Sequence, residues 1–425
     1  MHNLLPLPSS LAAGVLLAAL AAPLLVAQVP TAPITPPEDY EELTNPFSST
    51  TNFNIETVRG LLLRSNGLYA INTHASTVVH HGDLTPAYEQ EWPTVQNPIA
   101  ITEWSGRILV VGGSTWSLVE HDLATGRILR HVDLPAEPAD IVIDHSNDDA
   151  YIACQGANCV VRIDLVTFQE TSRYPVASQR PRFLVFDDTA TPAAVYVTPA
   201  LSGNNTTASD VQALPSGTGV GGVDQRSIVV DLDATSTAGT DLPDEDLFRI
   251  QVTQAVNSPA VAVLHSAGTL MTAHGINPID GNYWLLSTES LNAAHNSEDK
   301  HRGVFAFAQL AIANNVGVGT RPKPSTLIDL DAPIGGGQKT VGSSMSFPYA
   351  LAFHNSGHAA IAASTSDLIT FVTQTGTRYA DVPIVQPAGM PTPIGRAIPR
   401  DLEWDQQRNL LYVYCWGWNK VLLFD

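Results

Sequence analysis

Residues 151–164 read YIACQGANCVVRID, and residues 412–425 read YVYCWGWNKVLLFD. The Tyr, Cys, Gly, Asn, Val and final Asp of the two segments coincide position by position. In each segment two short runs rich in β-branched or aromatic residues flank a turn that contains Gly and Asn, which is typical of a β-hairpin. The chain therefore carries at least two copies of one hairpin, far apart in sequence.

Looser copies of the same unit occur along the chain, and each begins with a short apolar run led by proline or glycine. Pro98 and Pro138 are 40 residues apart, and Pro138 and Pro181 are 43 apart, which is the length of one four-stranded propeller blade. Strand-end aspartates such as Asp122 precede turns that favour Asp and Gly. The units start near Gly67, Pro98, Pro138, Pro181, Pro259, Pro348 and Pro399. We predict an all-β fold, a seven-bladed β-propeller of four-stranded antiparallel blades with long insertions in two blades.

The segments LVVGG, YIACQ, VYVTP and YVYCW, each followed by a turn and a strand that ends in Asp, resemble the YVTN-repeat β-propeller family. Its members are exported bacterial and archaeal proteins related to surface-layer and lactonase-like propellers. The resemblance covers roughly residues 55–425 and implies the fold rather than an activity, because the motif marks strand packing. Some similar propellers are fused to a c-type cytochrome domain. This chain has no C-x-x-C-H, so we expect no cofactor in it, and haem only if a further C-terminal domain exists.

The N-terminal segment favours export. Residues 11–27 are uncharged and built mainly from Leu, Ala and Val, and a Pro-rich polar segment follows. We predict a signal peptide over 1–27, a disordered Pro/Thr-rich spacer over 28–52 and the propeller over 53–425. The protein is then periplasmic or extracellular and has no membrane span once the signal is removed. Residues 53–60 are expected to help close the ring, because closure leaves no exposed sheet edge.

The charge balance restricts the partners. The chain has 41 Asp and Glu against 21 Lys and Arg, a formal net charge of −20. A nucleic-acid partner is excluded because no basic stripe is present to displace counterions. The expected partner is a protein, a glycan or a small ligand, and the propeller is expected to be monomeric.

Two units are longer than the rest. The insertions fall at about 199–225 and 276–325. Long loops in a compact domain are functional or solvated, and both interpretations stay open here, with a metal or catalytic site as a third. Polar and ionisable residues cluster in the second insertion and are predicted to bind a ligand or partner: Asn292, His295, Glu298, Asp299, His301 and Arg302.

Local signatures of catalysis and metal binding are absent from the sequence. It contains no HExxH, no paired C-x-x-C, no G-x-S-x-G and no phosphate-binding loop, so we predict no catalytic residue and no metal site. The favoured function is a non-enzymatic scaffold that presents the loops of its top face to a partner or ligand. The alternatives are the propeller part of a periplasmic electron-transfer protein associated with a c-type cytochrome, and a lactonase-like hydrolase.

Cys154 and Cys159 bracket the turn of the first hairpin. Residues that face each other across such a turn are close enough for a disulfide, and an exported protein meets an oxidising compartment. We predict a disulfide between them, with two buried thiols as the alternative. Cys415 is expected to pack as a small apolar residue.

Overall fold

The architecture is antiparallel β throughout the part of the chain that the structure, a computed structural model, describes. No helix within that part is long and apolar enough to cross a membrane. The described residues are 41–42, 57–82, 89–202, 206–209, 228–231, 244–290, 306–314, 316, 322–335, 344–386 and 395–424.

The strands are numbered in chain order. Those of the N-terminal half are β1 (Glu41–Glu42), β2 (Leu61–Arg64), β3 (Gly67–Asn72), β4 (Thr77–Gly82), β5 (Glu89–Pro93), β6 (Pro98–Trp104), β7 (Arg107–Gly112), β8 (Ser117–Asp122), β9 (Ile128–Asp133), β10 (Pro138–Asp144), β11 (Asp149–Cys154), β12 (Cys159–Asp164), β13 (Gln169–Pro175), β14 (Gln179–Asp187) and β15 (Ala194–Leu201). Those of the C-terminal half are β16 (Thr206–Ser209), β17 (Ile228–Asp231), β18 (Leu247–Gln251), β19 (Val261–Leu264), β20 (Leu270–Ile276), β21 (Tyr283–Ser290), β22 (Ala306–Ala313), β23 (Thr326–Asp329), β24 (Pro348–Phe353), β25 (Ala359–Ala363), β26 (Leu368–Val372), β27 (Arg378–Pro383), β28 (Pro399–Asp405), β29 (Leu410–Cys415) and β30 (Lys420–Phe424).

The described strands pair into four-stranded antiparallel units. Unit one is β2–β5, unit two β6–β9, unit three β10–β13 and unit six β24–β27. Unit four consists of β14, β15, β18 and β19, and unit five of β20–β23; these two are joined through the single pair Leu201 and Leu270. Unit seven consists of β28, β29, β30 and β1. The predicted all-β propeller of four-stranded antiparallel blades is confirmed.

The first strand of each unit is the inner one, and the inner strands contact one another around a ring. β2 packs against β6, β6 against β10, β10 against β14, β14 against β20, β20 against β24, β24 against β28, and β28 again against β2. Apolar residues fill each seam between neighbouring units; Leu109 and Ile152, for example, share the cluster between units two and three. Because every unit buries one face against each neighbour, no unit could hide its apolar residues alone.

The last unit takes its fourth strand from the N-terminal part of the chain. Glu41 pairs with Leu423 in the edge strand β1, so this strand comes from inside the segment predicted as a spacer. Residues 53–60 were predicted to help close the ring; of these, Arg59 forms a parallel bridge with Ala100 of unit two, and Gly60 lies against Tyr414 of unit seven. Residues 53–56 lie outside the described residues, so this stays a prediction. The strand Glu41–Glu42 was not predicted, because its charged sequence has no apolar alternation. The rest of residues 1–56 lies outside the described residues.

The two longer units are regular where the structure describes them. β21 and β22 belong to unit five, so the predicted insertion at 276–325 contains two ordinary blade strands. In unit four, β15 runs to Leu201, and a small hairpin of β16 and β17 follows. The start near Pro259 also needs correction: Val261–Leu264 is the outer strand of unit four, and the inner strand of unit five begins at Leu270.

Six of the inner strands contain a β-bulge immediately after they begin. In units two and three, for example, the pairing shifts between Pro98 and Ala100 and between Pro138 and Asp140. The skipped residue has no cross-strand partner, which lets a bulge direct its side chain away from the ladder. We call the six skipped residues the bulge ring: Ile99, Ala139, Arg182, Thr272, Tyr349 and Arg400.

Candidate functional site

A cavity of about 850 Å³ opens at the face of the ring where the inner strands begin. We call it the mouth cavity. Five of the six bulge-ring residues line it, and Pro138 and Leu270, at the starts of β10 and β20, lie on its wall. The lining also includes aromatic and charged side chains: Trp116, Glu137, Arg180, Phe183 and Phe347. Its size suits a small ligand.

Arg182, Phe183, Phe347 and Tyr349 line the mouth cavity, and Arg400 contacts two of these rings without lining the cavity itself. The guanidinium carbon of Arg400 lies 4.1 Å from the ring centroid of Tyr349 and 5.7 Å from that of Phe347. Arg182 lies 5.4 Å from the ring of Phe183, and its Nη2 donates to the Tyr349 hydroxyl at 2.7 Å. Tyr349 therefore lies between two guanidinium groups, each within range of a cation–π contact.

Trp116 projects at the rim of this cavity from an unusual backbone conformation. Its φ is +48°, and 46% of its surface is exposed. The residue directly before the third strand has the same left-handed conformation in other units, where it is Ser76, Asn158, Asp367 or Asn419. Small and Asx residues tolerate this region better than bulky ones, although Phe347 and Ile398 also adopt it here. Trp116 is a candidate ligand contact because it is exposed and lines the cavity.

Below the mouth cavity, ionisable side chains from several inner strands meet. Arg59 is held by Asp140 through two hydrogen bonds of 3.0 and 3.3 Å, and it also donates to the carbonyl oxygen of Leu184 at 3.3 Å. The Asp140 carboxylate accepts the N–H of Leu184 at 2.9 Å as well. Arg59 still exposes 38% of its side chain, so the guanidinium faces the axial channel. This pair links the segment before unit one to units three and four.

His274 of unit five belongs to the same group. Its Nε2 donates to the carbonyl oxygen of Phe183 at 2.9 Å, and burial lowers the pKa of the imidazole to about 4. The ring is therefore neutral at physiological pH, with its proton on Nε2. Nδ1 is buried and has no hydrogen-bond partner among the described residues, so it remains available as an acceptor.

Two carboxyl groups of unit seven belong to the same set of ionisable side chains below the mouth cavity. Asp401 accepts the N–H groups of Leu61 at 2.8 Å and Leu402 at 2.9 Å, and burial raises its pKa to about 6. Burial, together with the neighbouring Asp401, raises the pKa of Glu403 to about 8. No residue in the described part of the chain forms a hydrogen bond with the Glu403 carboxyl. Near pH 7 Glu403 is mostly protonated and can donate a proton.

The predicted ligand-binding residues lie outside the described residues. These are Asn292, His295, Glu298, Asp299, His301 and Arg302. The strands on either side end at Ser290 and Ala306, which are register partners. Thr288, two residues before Ser290, pairs with Leu270, which lines the mouth cavity.

The cysteine pair lies beside the same cavity. Cys154 and Cys159 are register partners across the β11–β12 hairpin, and both are buried free thiols in the structure. A hydrogen bond with the Cys159 thiol, together with burial, raises the pKa of Cys154. Gln155, which follows Cys154, lines the mouth cavity. The register suits the predicted disulfide, which stays a prediction. Cys415 is fully buried.

The sequence did not single out the arginine–aromatic wall. A signal was present, because Arg182, Tyr349 and Arg400 each follow a proline at or near the start of an inner strand. Only the bulge at that position turns these side chains towards the axis, and a bulge leaves no mark in a hydrophobic pattern. Within the described residues no cluster of three His, Cys, Asp or Glu side chains is arranged to hold a metal ion.

Comparison with known proteins shows the fold. No family model matches the chain, and no curated protein matches it. Hydrazine synthase of Kuenenia stuttgartiensis is similar with a TM-score of 0.60 and 12% identity, over 90% of this chain and 99% of that one. A streptogramin B lyase structure has a TM-score of 0.54 and 11% identity, over 90% and 96%. Virginiamycin B lyase from Staphylococcus aureus has 0.52 and 12%, over 88% and 97%. These solved structures are β-propellers, and at such identities the likeness concerns architecture alone.

Proposed function

We propose that the protein is a β-propeller that binds a small anionic ligand in the mouth cavity. The observation that carries the proposal is that Arg182 and Tyr349 line the cavity together and that the Tyr349 ring also contacts Arg400, which lies outside the lining. Guanidinium groups recognise carboxylates and phosphates, and the adjacent rings offer flat apolar surface. The ligand class that suits this wall has an anionic group attached to an aromatic or other flat apolar part.

The charge of the chain strengthens this argument. The formal net charge is −20, yet three arginines, Arg180, Arg182 and Arg400, lie at or beside this one cavity. Arg180 is paired with Glu137 at 3.0 Å. Arg182 donates to the Tyr349 hydroxyl, and the guanidinium of Arg400 lies over the Tyr349 ring, so positive charge gathers around this one aromatic side chain. A local positive field in an acidic protein draws an anion to one place.

The test is a titration with benzoate, monitored by tryptophan fluorescence, with benzamide as the uncharged analogue. We expect saturable binding of benzoate and at least tenfold weaker binding of benzamide. Arg182→Gln and Arg400→Gln should each weaken benzoate binding by about tenfold, the usual loss when a charged hydrogen-bonding group is removed. Arg127→Gln, at an exposed position, is the matched control. Equal binding of the two compounds, or variants that bind as the wild type does, would refute the proposal.

A second candidate function is acid–base catalysis on the bound ligand, as in a lactonase-like hydrolase. It is supported by the protonated Glu403 and the neutral His274 in the channel below the cavity. Such a pair could protonate a leaving group and accept a proton from water. A lactone and ester panel tests this: turnover that Glu403→Gln abolishes would support hydrolysis, and no turnover above buffer would exclude it for those substrates.

Export and electron transfer stay proposals with their own tests. Removal of a signal peptide predicts a mature protein that starts after Ala27, which N-terminal sequencing detects. Association with a c-type cytochrome predicts a haem protein that co-purifies from the native source. An intact N-terminus contradicts the first, and a haem-free preparation contradicts the second.

A further inference from the structure

A second cavity, of about 540 Å³, lies at the opposite face of the ring, in the seam between units four and five. Its wall is formed where β14 ends, by the turn that follows, and by the turn between β20 and β21. It is separate from the mouth cavity, with which it shares no lining residue. The side chains that matter here are Asp187, Tyr196, Arg249, Asp280 and Tyr283.

Arg249 is a buried cation in this wall. Only 7% of its surface is exposed, and its guanidinium lies 5.9 Å from the ring of Tyr196, its cross-strand partner. Nη2 donates to the carbonyl oxygen of Pro192 at 3.2 Å, whereas Nε is buried without an acceptor among the described residues. No carboxylate of the described chain forms an ion pair with it. A buried guanidinium is costly unless an anion or several acceptors satisfy it, and among the described residues Arg249 has no anionic partner of its own.

Two carboxylates border the same cavity. Asp187 accepts the hydroxyl of Tyr283 at 3.2 Å, and the ring of Tyr283 lies 4.5 Å from that of Tyr196. Asp280, on an exposed turn, accepts hydrogen bonds from Asn282 at 2.7 and 3.0 Å. A simple anion bound at Arg249 would therefore meet two negative charges nearby. A ligand with an ammonium group close to its carboxylate would satisfy Arg249 and the carboxylates together.

We propose that this cavity binds a small polar zwitterion, an α-amino acid, with its carboxylate on Arg249 and its ammonium towards Asp187 and Asp280. Thr191, Tyr196 and Tyr283 also line the cavity, and residues with hydroxyl groups suit a polar ligand side chain. The proposal is independent of the ligand proposed for the mouth cavity, because the two cavities lie at opposite faces.

The experiment is calorimetric titration of the full chain with L-serine, with acetate and methylammonium as separate halves of the ligand. We expect saturable binding of L-serine, with each half binding at least tenfold more weakly. Arg249→Gln should weaken L-serine binding at least tenfold, and Arg127→Gln, the same change at an exposed position, should leave it unchanged. Absence of L-serine binding, or equal binding to Arg249→Gln, overturns the proposal.

A second variant guards against misfolding of Arg249→Gln. Asp280→Asn changes an exposed turn residue, so it tests the ammonium contact without disturbing the core. It should weaken L-serine binding several-fold and leave acetate binding unchanged or stronger. Equal losses for L-serine and acetate, or no loss for L-serine, would show that no ammonium group is recognised and would overturn the zwitterion assignment.

Discussion

Glu403→Gln should stabilise the protein at alkaline pH and leave its stability nearly unchanged at pH 5. The carboxyl of Glu403 has a pKa raised to about 8 by burial and by Asp401, against an ordinary value of 4.5. Between these two values the folded protein keeps a proton that the unfolded chain has released. The free energy of unfolding therefore falls as pH rises through this window. A glutamine of the same shape carries no such proton and removes this pH dependence.

The magnitude follows from the two pKa values. One pKa unit corresponds to about 1.4 kcal/mol. The difference between the folded and unfolded pKa of Glu403 therefore lowers the free energy of unfolding by at most roughly 5 kcal/mol at pH values above 8. Glu403 is only partly buried and can meet channel water, which reduces the effect. We expect the free energy of unfolding of Glu403→Gln to be higher than that of the wild type by about 2–3 kcal/mol at pH 8.5, and by less than about 0.5 kcal/mol at pH 5.

The assay is urea unfolding, followed by circular dichroism, of both proteins at pH 5, 7 and 8.5. Glu170→Gln is the control, because Glu170 forms an exposed pair with Arg173 in unit three. Exposed pairs contribute about 0–1 kcal/mol, so the control should show no growing advantage as pH rises. If the difference between Glu403→Gln and the wild type is the same at pH 5 and pH 8.5, the channel does not hold the proton and the reasoning is wrong.

Three further outcomes follow from the same structure. Arg59→Met should lower the free energy of unfolding by about 2 kcal/mol, measured by thermal unfolding, because it leaves the Asp140 carboxylate buried without its cation. Adding Asp140→Asn should restore part of this loss. Unchanged stability of the single variant would contradict the ion pair. Trp116→Asn should leave stability equal or higher, because Asn tolerates the left-handed conformation, while benzoate binding weakens; a clear loss of stability would contradict the functional interpretation of Trp116. Denatured protein alkylated without reductant should show Cys154 and Cys159 unlabelled by mass spectrometry if the predicted disulfide forms, and labelling of both would refute it.

The repeating unit could be predicted because its turns require particular residue types. Glycine and asparagine in the turn of the β11–β12 hairpin, and proline at or near the start of an inner strand, mark positions where the backbone has few alternatives. Asn158 and Asn419 both adopt the left-handed conformation that the repeat implies, with φ of 47° and 51°. Turn residues of this kind can be recognised in a single sequence, and the propeller fold was predicted from their spacing.

Pairings between distant residues could not be predicted in the same way. The run after Pro259 looks like an inner strand, yet Val261–Leu264 is the outer strand of unit four, because the pairing partner rather than the strand's own pattern sets its place. Likewise Arg59 and Asp140 are 81 residues apart, and nothing near either one in sequence indicates the other. The candidate site consists of contacts between residues that are distant in sequence, and these contacts form only when the ring closes.

The bulge ring gives the propeller a set of positions that selection or design can vary separately from the fold. Each of the six residues is skipped by its ladder, so exchanging its side chain leaves the neighbouring register intact. The six positions already differ in chemistry, with Ala139 and Thr272 small and Arg182, Tyr349 and Arg400 large and cationic or aromatic. A combinatorial library confined to these codons would alter what enters the axis while the seams between units, and hence the scaffold, stay as they are.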